Sequence, residues 1–360
     1  MRTVILTCSL KILCLSIIIW GWTTLPAQAE TMQIGQVLRT NDGGFLITAY
    51  DNAGYSEVHS LYLYKTDGEG KLIWHKQYYD SKRPKVIICE NTRDNGFILV
   101  SHVLREQAID EDISILRLNE KGEELWQAEC NGHGINHISE TLDGGFILGG
   151  YRYQGKDKDA YVLKIDREGR WDFTSSSNEP ADMVKKTLGW ERDYGGSGDE
   201  EIRYIQQVRD EYGYNDGYIL VGYTNTGRQG YKDVYVLRVD PYGEIEWERG
   251  FGGNRDEDGY YVMPYVRGLQ DSEGLVAGFL IAGYRSGYGH DADVYLLHVN
   301  RFGELTRWSS DGQRTGGFSE NFLPGGSGFV SVGLNLLQDD ADKNELVVTG
   351  GTPAFPVRGN

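Results

Sequence analysis

Asp143-Gly-Gly-Phe-Ile-Leu-Gly-Gly-Tyr151, then Ala160-Tyr-Val-Leu-Lys-Ile165, then Asp166 with Gly169 and finally Trp190 form the stretch that decides the fold, because the same order of features occurs five times. The other four openings are Asp42-Gly-Gly-Phe-Leu-Ile-Thr-Ala-Tyr50, Asp94-Asn-Gly-Phe-Ile-Leu-Val-Ser-His102, Asn215-Asp-Gly-Tyr-Ile-Leu-Val-Gly-Tyr223 and Ala277-Gly-Phe-Leu-Ile-Ala-Gly-Tyr284. Each is a turn feeding a strand. The alternating runs at Leu61, Ile113, Val234 and Val294 repeat the second part, and Asp67/Gly70, Asn119/Gly122, Asp240/Gly243 and Asn300/Gly303 repeat the turn. In that turn the Asp or Asn side chain caps the first position, while glycine takes a left-handed conformation without steric cost.

A tryptophan follows in every unit, at 74, 126, 190, 247 and 308, with spacings of 52, 64, 57 and 61 residues. A further apolar segment precedes each Asp-Gly-Gly turn, at Gln36 to Thr40, Val86 to Thr92, Ile135 to Thr141, Ile202 to Val208 and Tyr261 to Leu269. These segments complete four strands, A to D. Serial four-stranded antiparallel units predict an all-β chain, a β-propeller of five full blades. Phe329 to Leu337 and Leu346 to Gly351 predict strands A and B of an incomplete sixth, with Pro353 to Asn360 covering its open edge.

Composition supports this fold and narrows the function. In 360 residues there are 48 Gly and 24 Tyr but 8 Pro, the usage of many tight turns between aromatic-rich strands. The formal charge of −17 disfavours phosphate backbones and anionic lipid, so no nucleic-acid partner is expected. Residues 1 to 29 read as a cleaved signal peptide. Arg2 and Lys11 precede an apolar run from Ile12 to Trp22, and Ala27-Gln28-Ala29 supplies the small-residue cleavage pattern. That run is too short for a membrane span. Residues 30 to 360 are then a single exported, monomeric propeller, periplasmic or extracellular. Cleavage leaves Cys89 and Cys130, on an innermost and an outermost strand, too far apart to pair.

Residues 36 to 308 resemble the bacterial exported β-propeller repeats with consensus Asp-Gly-Gly-(Phe/Tyr)-Ile-Leu-x-Gly-Tyr and Asp-x-x-Gly-x-x-x-Trp. They are more distantly similar to the repeats of pyrroloquinoline-quinone dehydrogenases. The resemblance implies a fold; the repeated residues shape turns and packing.

Recurrence has the same consequence for most charged residues. Asp42, Asp94, Asp143 and Asp216 fall on separate blades and read as turn caps. The acidic connectors Gly195 to Glu201 and Gly252 to Asp258 lack the spacing of a known calcium loop, and His133 with His137 lacks a third zinc ligand, so no metal and no cofactor is assigned. Divergent loops are the better candidates for recognition. The B-to-C loops carry Tyr55, Arg152, Tyr153, Arg228, Tyr231, Arg285, Tyr288 and His290, types favoured at recognition surfaces. The expected function is a non-catalytic module binding a protein or glycan partner through these loops. The alternative is a polysaccharide hydrolase or lyase with Glu90 and Glu140 as paired channel carboxylates. A quinone-dependent dehydrogenase is the third reading.

Overall fold

Alternating apolar runs joined by tight turns pair in sequence order. In the computed structural model the described residues are 32–51, 60–79, 84–103, 112–130, 133–171, 189–226, 231–266, 276–286 and 292–310. They form twenty strands in five four-stranded antiparallel sheets and no helix. Blade 1 comprises β1 (Met32–Arg39), β2 (Phe45–Asp51), β3 (Ser60–Thr66) and β4 (Leu72–Tyr79). Blade 2 comprises β5 (Pro84–Asn91), β6 (Phe97–Val103), β7 (Asp112–Leu118) and β8 (Glu124–Cys130). Blade 3 comprises β9 (His133–Glu140), β10 (Phe146–Gln154), β11 (Asp157–Ile165) and β12 (Trp190–Tyr194). Blade 4 comprises β13 (Glu200–Arg209), β14 (Asn215–Thr224), β15 (Asp233–Val239) and β16 (Ile245–Phe251). Blade 5 comprises β17 (Glu257–Val266), β18 (Val276–Ser286), β19 (Ala292–Asn300) and β20 (Leu305–Ser310).

The chain is thus an all-β propeller, its first strands packed side by side in the order β1, β5, β9, β13, β17. The signal segment, the sixth blade and the C-terminal cover lie outside the described residues. Two inner strands begin earlier than their apolar pattern suggests. Glu200-Glu201 and Glu257-Asp258, which read as connector, are strand residues, and all four are buried.

Blades are joined by the repeated tryptophans. The indole Nε1 atoms of Trp74, Trp126, Trp190 and Trp247 donate to the carbonyls of Glu120, Arg167, Pro241 and Arg301 in the next blade's C-to-D turn. Each ring also meets the next blade's strand-B aromatic, Phe97, Phe146, Tyr218 or Phe279, at 6.0 to 6.3 Å between centroids. The turn glycine is what lets the indole approach. A Cβ on Gly169, at φ +78°, would lie 2.6 Å from Trp126. The fifth tryptophan departs from this scheme. Trp308 pairs with Leu297, whereas Arg307 takes the register position opposite His298 that the other four hold opposite Lys65, Arg117, Lys164 and Arg238. The cause is one extra residue after Asn300, so Trp308 falls one residue out of the register that the other four share.

Asp42, Asp94 and Asp143 are caps, as expected, accepting the N–H of Gly44, Gly96 and Gly145, whereas in blade 4 Asn215 caps Gly217 in place of the expected Asp216; all four aspartates are also counterions. Lys65, Arg117, Lys164 and Arg238 are buried on strand C and pair with Asp42, Asp94, Asp143 and Asp216 at 2.6 to 2.8 Å. Blade 5 lacks both halves, with Ala277 in the turn and His298 at the strand position. Hydrogen bonds from Lys65 and Thr40 hold the Asp42 carboxyl down at about 2, against an ordinary 3.8. An acid with a depressed native pKa adds stability above its unfolded value and loses it as pH falls through the native one. Stability should therefore drop between about pH 4 and pH 2, and Asp42→Asn should flatten part of that drop in acid-unfolding curves. The contribution is modest, because Asp42 is half exposed.

Cys89 and Cys130 are both free and buried. They lie on the innermost and outermost strands of blade 2, as the sequence predicts. Burial pushes the Cys130 thiol up to about 12 and Cys89 further, so neither is a nucleophile at neutral pH.

Candidate functional site on the inner strands

Every inner strand breaks register at an equivalent place. The pairing skips Gly35-Gln36 in β1, Ile87 in β5, Asn136 in β9, Arg203 in β13 and Tyr260 in β17. Such bulges re-aim side chains and are common beside active sites. They explain a feature of the repeat. The glycine before its terminal tyrosine faces the bulged strand so closely that a Cβ on Gly150, Gly222 or Gly283 would lie 1.7, 1.8 or 2.0 Å from the carbonyl of Gly134, Glu201 or Asp258.

Immediately after the bulge, Ile88, His137, Tyr204 and Tyr261 occupy one level of the inner strands of blades 2 to 5, and Gln36, inside the wider bulge of β1, is their counterpart in blade 1. On blades 3, 4 and 5 this level is an aromatic row. His137 and Tyr204 have ring centroids 4.0 Å apart, and Tyr204 and Tyr261 4.6 Å apart. On blade 2 it is aliphatic, and on blade 1 it is an amide. His137 is neutral: burial lowers its pKa to about 4, and its Nδ1 accepts the Ile205 N–H at 3.4 Å, leaving the proton on Nε2.

Glu90 lies two residues along β5 from Ile88. Two residues apart on one strand, Glu90 and Ile88 share a face, so Glu90 lies on the side of the inner strands that carries the aromatic row, and its charge bears on Tyr204 two blades away. The residue remains open to solvent, yet the enclosing strands strip away enough water to push its carboxyl up to about 7. Among the described residues it has no hydrogen-bond or ion-pair partner. A carboxyl of near-neutral pKa that solvent can reach is suited to proton transfer.

At the end of these strands where the B-to-C loops lie, a buried polar network ties blades 3, 4 and 5 together. Glu201 accepts from Arg203 at 2.6 Å, Asn136 at 2.9 Å and the Tyr223 hydroxyl at 3.1 Å, and pairs with Lys158 at 3.3 Å. Arg203 also reaches Asp258 at 3.4 Å, and its guanidinium lies over the rings of Tyr223 and Tyr260. Burial raises Asp258 to about 6 despite the nearby Arg203 and Lys232. Below this network the acidic connectors act as clamps. Asp199 and Asp256 accept the N–H of Lys158 and Lys232 at 3.0 and 2.9 Å, while Glu200 and Glu257 accept the N–H of Gly196 and Gly253. Their carboxylates are engaged by protein donors.

The loop residues do not assemble into one surface. Tyr55, Arg228, Tyr288 and His290 lie outside the described residues. Arg152 is held against its own blade, 2.8 Å from Asp193, 3.4 Å from Glu191 and over the Tyr161 ring at 4.4 Å. Arg285 pairs with Glu257 at 2.9 Å. Tyr153 and Tyr231 are exposed, on different blades. The proposed carboxylate pair also fails. Glu140 is one position further along its strand than the equivalent of Glu90, and accepts the Arg93 N–H of the preceding blade at 2.7 Å. Gln207 does the same for Leu142 at 2.9 Å, and Asn91 bonds the Arg39 carbonyl at 2.8 Å. Glu140 is a bracket between blades, a task amides perform elsewhere. Tyr204, Tyr261 and Arg203 escape sequence reading; the available signal is that strands A differ at this one level while strands B and C repeat.

No family model matches the chain, and no curated protein matches it. Solved structures similar to it include cobalt-substituted Synechocystis ACO, with 10% identity, a TM-score of 0.45, and coverage of 76% of this chain and 60% of that one. An ACO/RPE65 chimera has 10% identity and a TM-score of 0.41, covering 71% and 55%. A mutant of Synechocystis apocarotenoid oxygenase has 11% identity and a TM-score of 0.43, covering 76% and 60%. This chain therefore spans about three fifths of each. These proteins carry the name of an enzyme, which corrects the expectation of a non-catalytic binding module: a likeness of fold at this level extends to enzymes. It transfers neither their substrate nor their metal. Among the described residues no group of three or more His, Cys, Asp or Glu side chains could hold a metal ion.

Proposed function

We propose that the chain is an acid–base enzyme whose substrate is a small organic molecule held between the inner strands, with Glu90 as the proton-transferring group. What carries this reading is a solvent-reachable carboxyl on the strand face that bears an aromatic row on other blades, its burial between strands pushing it up to about 7. Half its population is ionised near neutral pH, so it can accept a proton in one step and return it in the next. Tyr204, Tyr261 and neutral His137 supply a flat wall for an unsaturated or apolar body, and Ile88 an aliphatic patch beside it. The test is ligand-observed NMR against a panel of small organic molecules of differing charge. Binders are expected to lose their signal with Tyr204→Leu. Those that turn over should do so at least about 100-fold more slowly with Glu90→Gln while still binding. Binding indifferent to Tyr204, or turnover indifferent to Glu90, would contradict the reading.

We propose also that the protein is exported, supported by the basic start, the short apolar run and Ala27-Gln28-Ala29. Mass spectrometry of the protein from its native host should then find Glu30 at the N-terminus; an intact Met1 would refute export by cleavage.

A further inference from the structure

Resting on this reading of the inner strands as the ligand site, we propose that the ligand is an organic cation, an ammonium-bearing molecule whose charge lies beside the Tyr204 and Tyr261 rings and opposite Glu90. Three observations converge on this chemistry. First, His137, Tyr204 and Tyr261 are consecutive rings at one level, each half-buried, and the π-faces of tyrosines attract ammonium groups. The histidine contributes a ring without a positive charge, because its Nδ1 is the acceptor of the Ile205 N–H.

Second, the carboxylate facing this row has no cationic partner among the described residues. The basic residue that stands at a bulge of the inner strands, Arg203, is committed to Glu201 and Asp258. Among the described residues the site thus holds an anion without its counterion. A ligand cation would supply it, and the energy of desolvating Glu90 would be offset by that pairing. Third, the molecule carries −17 overall, a field that draws cations and repels anions. An anionic ligand would meet Glu90 and that field together.

The test uses the full-length mature protein at pH 7.5 and three probes of nearly equal shape: choline, its neutral carbon analogue 3,3-dimethylbutan-1-ol, and the anion 3,3-dimethylbutanoate. NMR titration is expected to show choline binding about 10-fold more tightly than the alcohol, the ratio that about 1.4 kcal/mol of cation recognition gives. The butanoate should be weakest. Glu90→Gln, a nearly isosteric change at a solvent-open position, should erase the preference for choline and leave the alcohol unchanged. Tyr204→Phe should preserve choline binding, whereas Tyr204→Leu should abolish it. If the alcohol or the butanoate binds as tightly as choline and still depends on Tyr204, the cation is refuted and the ligand site stands. If none of the three produces a Tyr204-dependent shift up to about 50 mM, a concentration covering affinities weaker than 1 mM, both readings fall.

Discussion

Replacing Trp190 by alanine is expected to lower the free energy of unfolding by about 3–5 kcal/mol, the usual cost of removing a buried tryptophan. The ring is 7% exposed, its Nε1 donates to the Pro241 carbonyl at 3.1 Å, and it rests on Gly243 and on the edge of Tyr218. Alanine would leave a void between blades 3 and 4 and an unpaired carbonyl in the turn. Denaturant unfolding of the variant gives the number directly. Trp308→Ala should cost less if the series ends where its register shifts, and an equal loss would show that the extra residue after Asn300 is without consequence.

Gly222→Ala is expected to cost about 1–3 kcal/mol and to disturb the ligand site as well. Its Cβ would stand 1.8 Å from the Glu201 carbonyl, a backbone atom that only a shift of the β13 bulge can move. That bulge positions Arg203 and sets Tyr204 in the aromatic row, so the variant should lose Tyr204-dependent binding while remaining folded at 20 °C. Gly213→Ala is the control. It lies at φ +84° with no atom within 4 Å of the added carbon, so it should carry only the strain of a left-handed alanine, about 1 kcal/mol, and bind normally.

The propeller was legible because its determinants are local. Turns with Asp or Asn three residues before Gly and period-two strands each act within one unit, a tryptophan on the strand after the turn marks each unit, and repetition multiplies the signal. Register at the bulges was not legible, since skipping Arg203 or Tyr260 depends on two strands together and shifts every later residue to the opposite face. This is why inner strands of blades 4 and 5 begin at Glu200 and Glu257, acids that read as connector until their hydrogen bonds to Thr224 and Gly253 are known. Among candidate carboxylates, Glu90 and Glu140 look alike in sequence. Comparison with Asn91 and Gln207 separates them, because an acid sharing its position with amides is doing an amide's work. Loop arginines misled for a similar reason: Arg152 and Arg285 have the composition of a recognition surface, but nearby carboxylates on their own or the adjoining strand hold them.

The most direct test of the account is the titration of Glu90 itself, followed by 13C NMR of glutamate-labelled protein, with the Glu90→Gln spectrum identifying its resonance. A midpoint near 7 is expected, because the inner strands exclude water from a carboxyl that has no cationic partner among the described residues. The raised value also fixes a sign: a carboxyl that binds its proton more tightly in the folded state weakens the fold as pH rises from about 4.5 to 7, so Glu90→Gln should melt higher than the parent at pH 8 and closer to it at pH 4. A midpoint near 4.5, the value of an ordinary surface glutamate, would contradict the claim that these strands enclose a site for proton transfer.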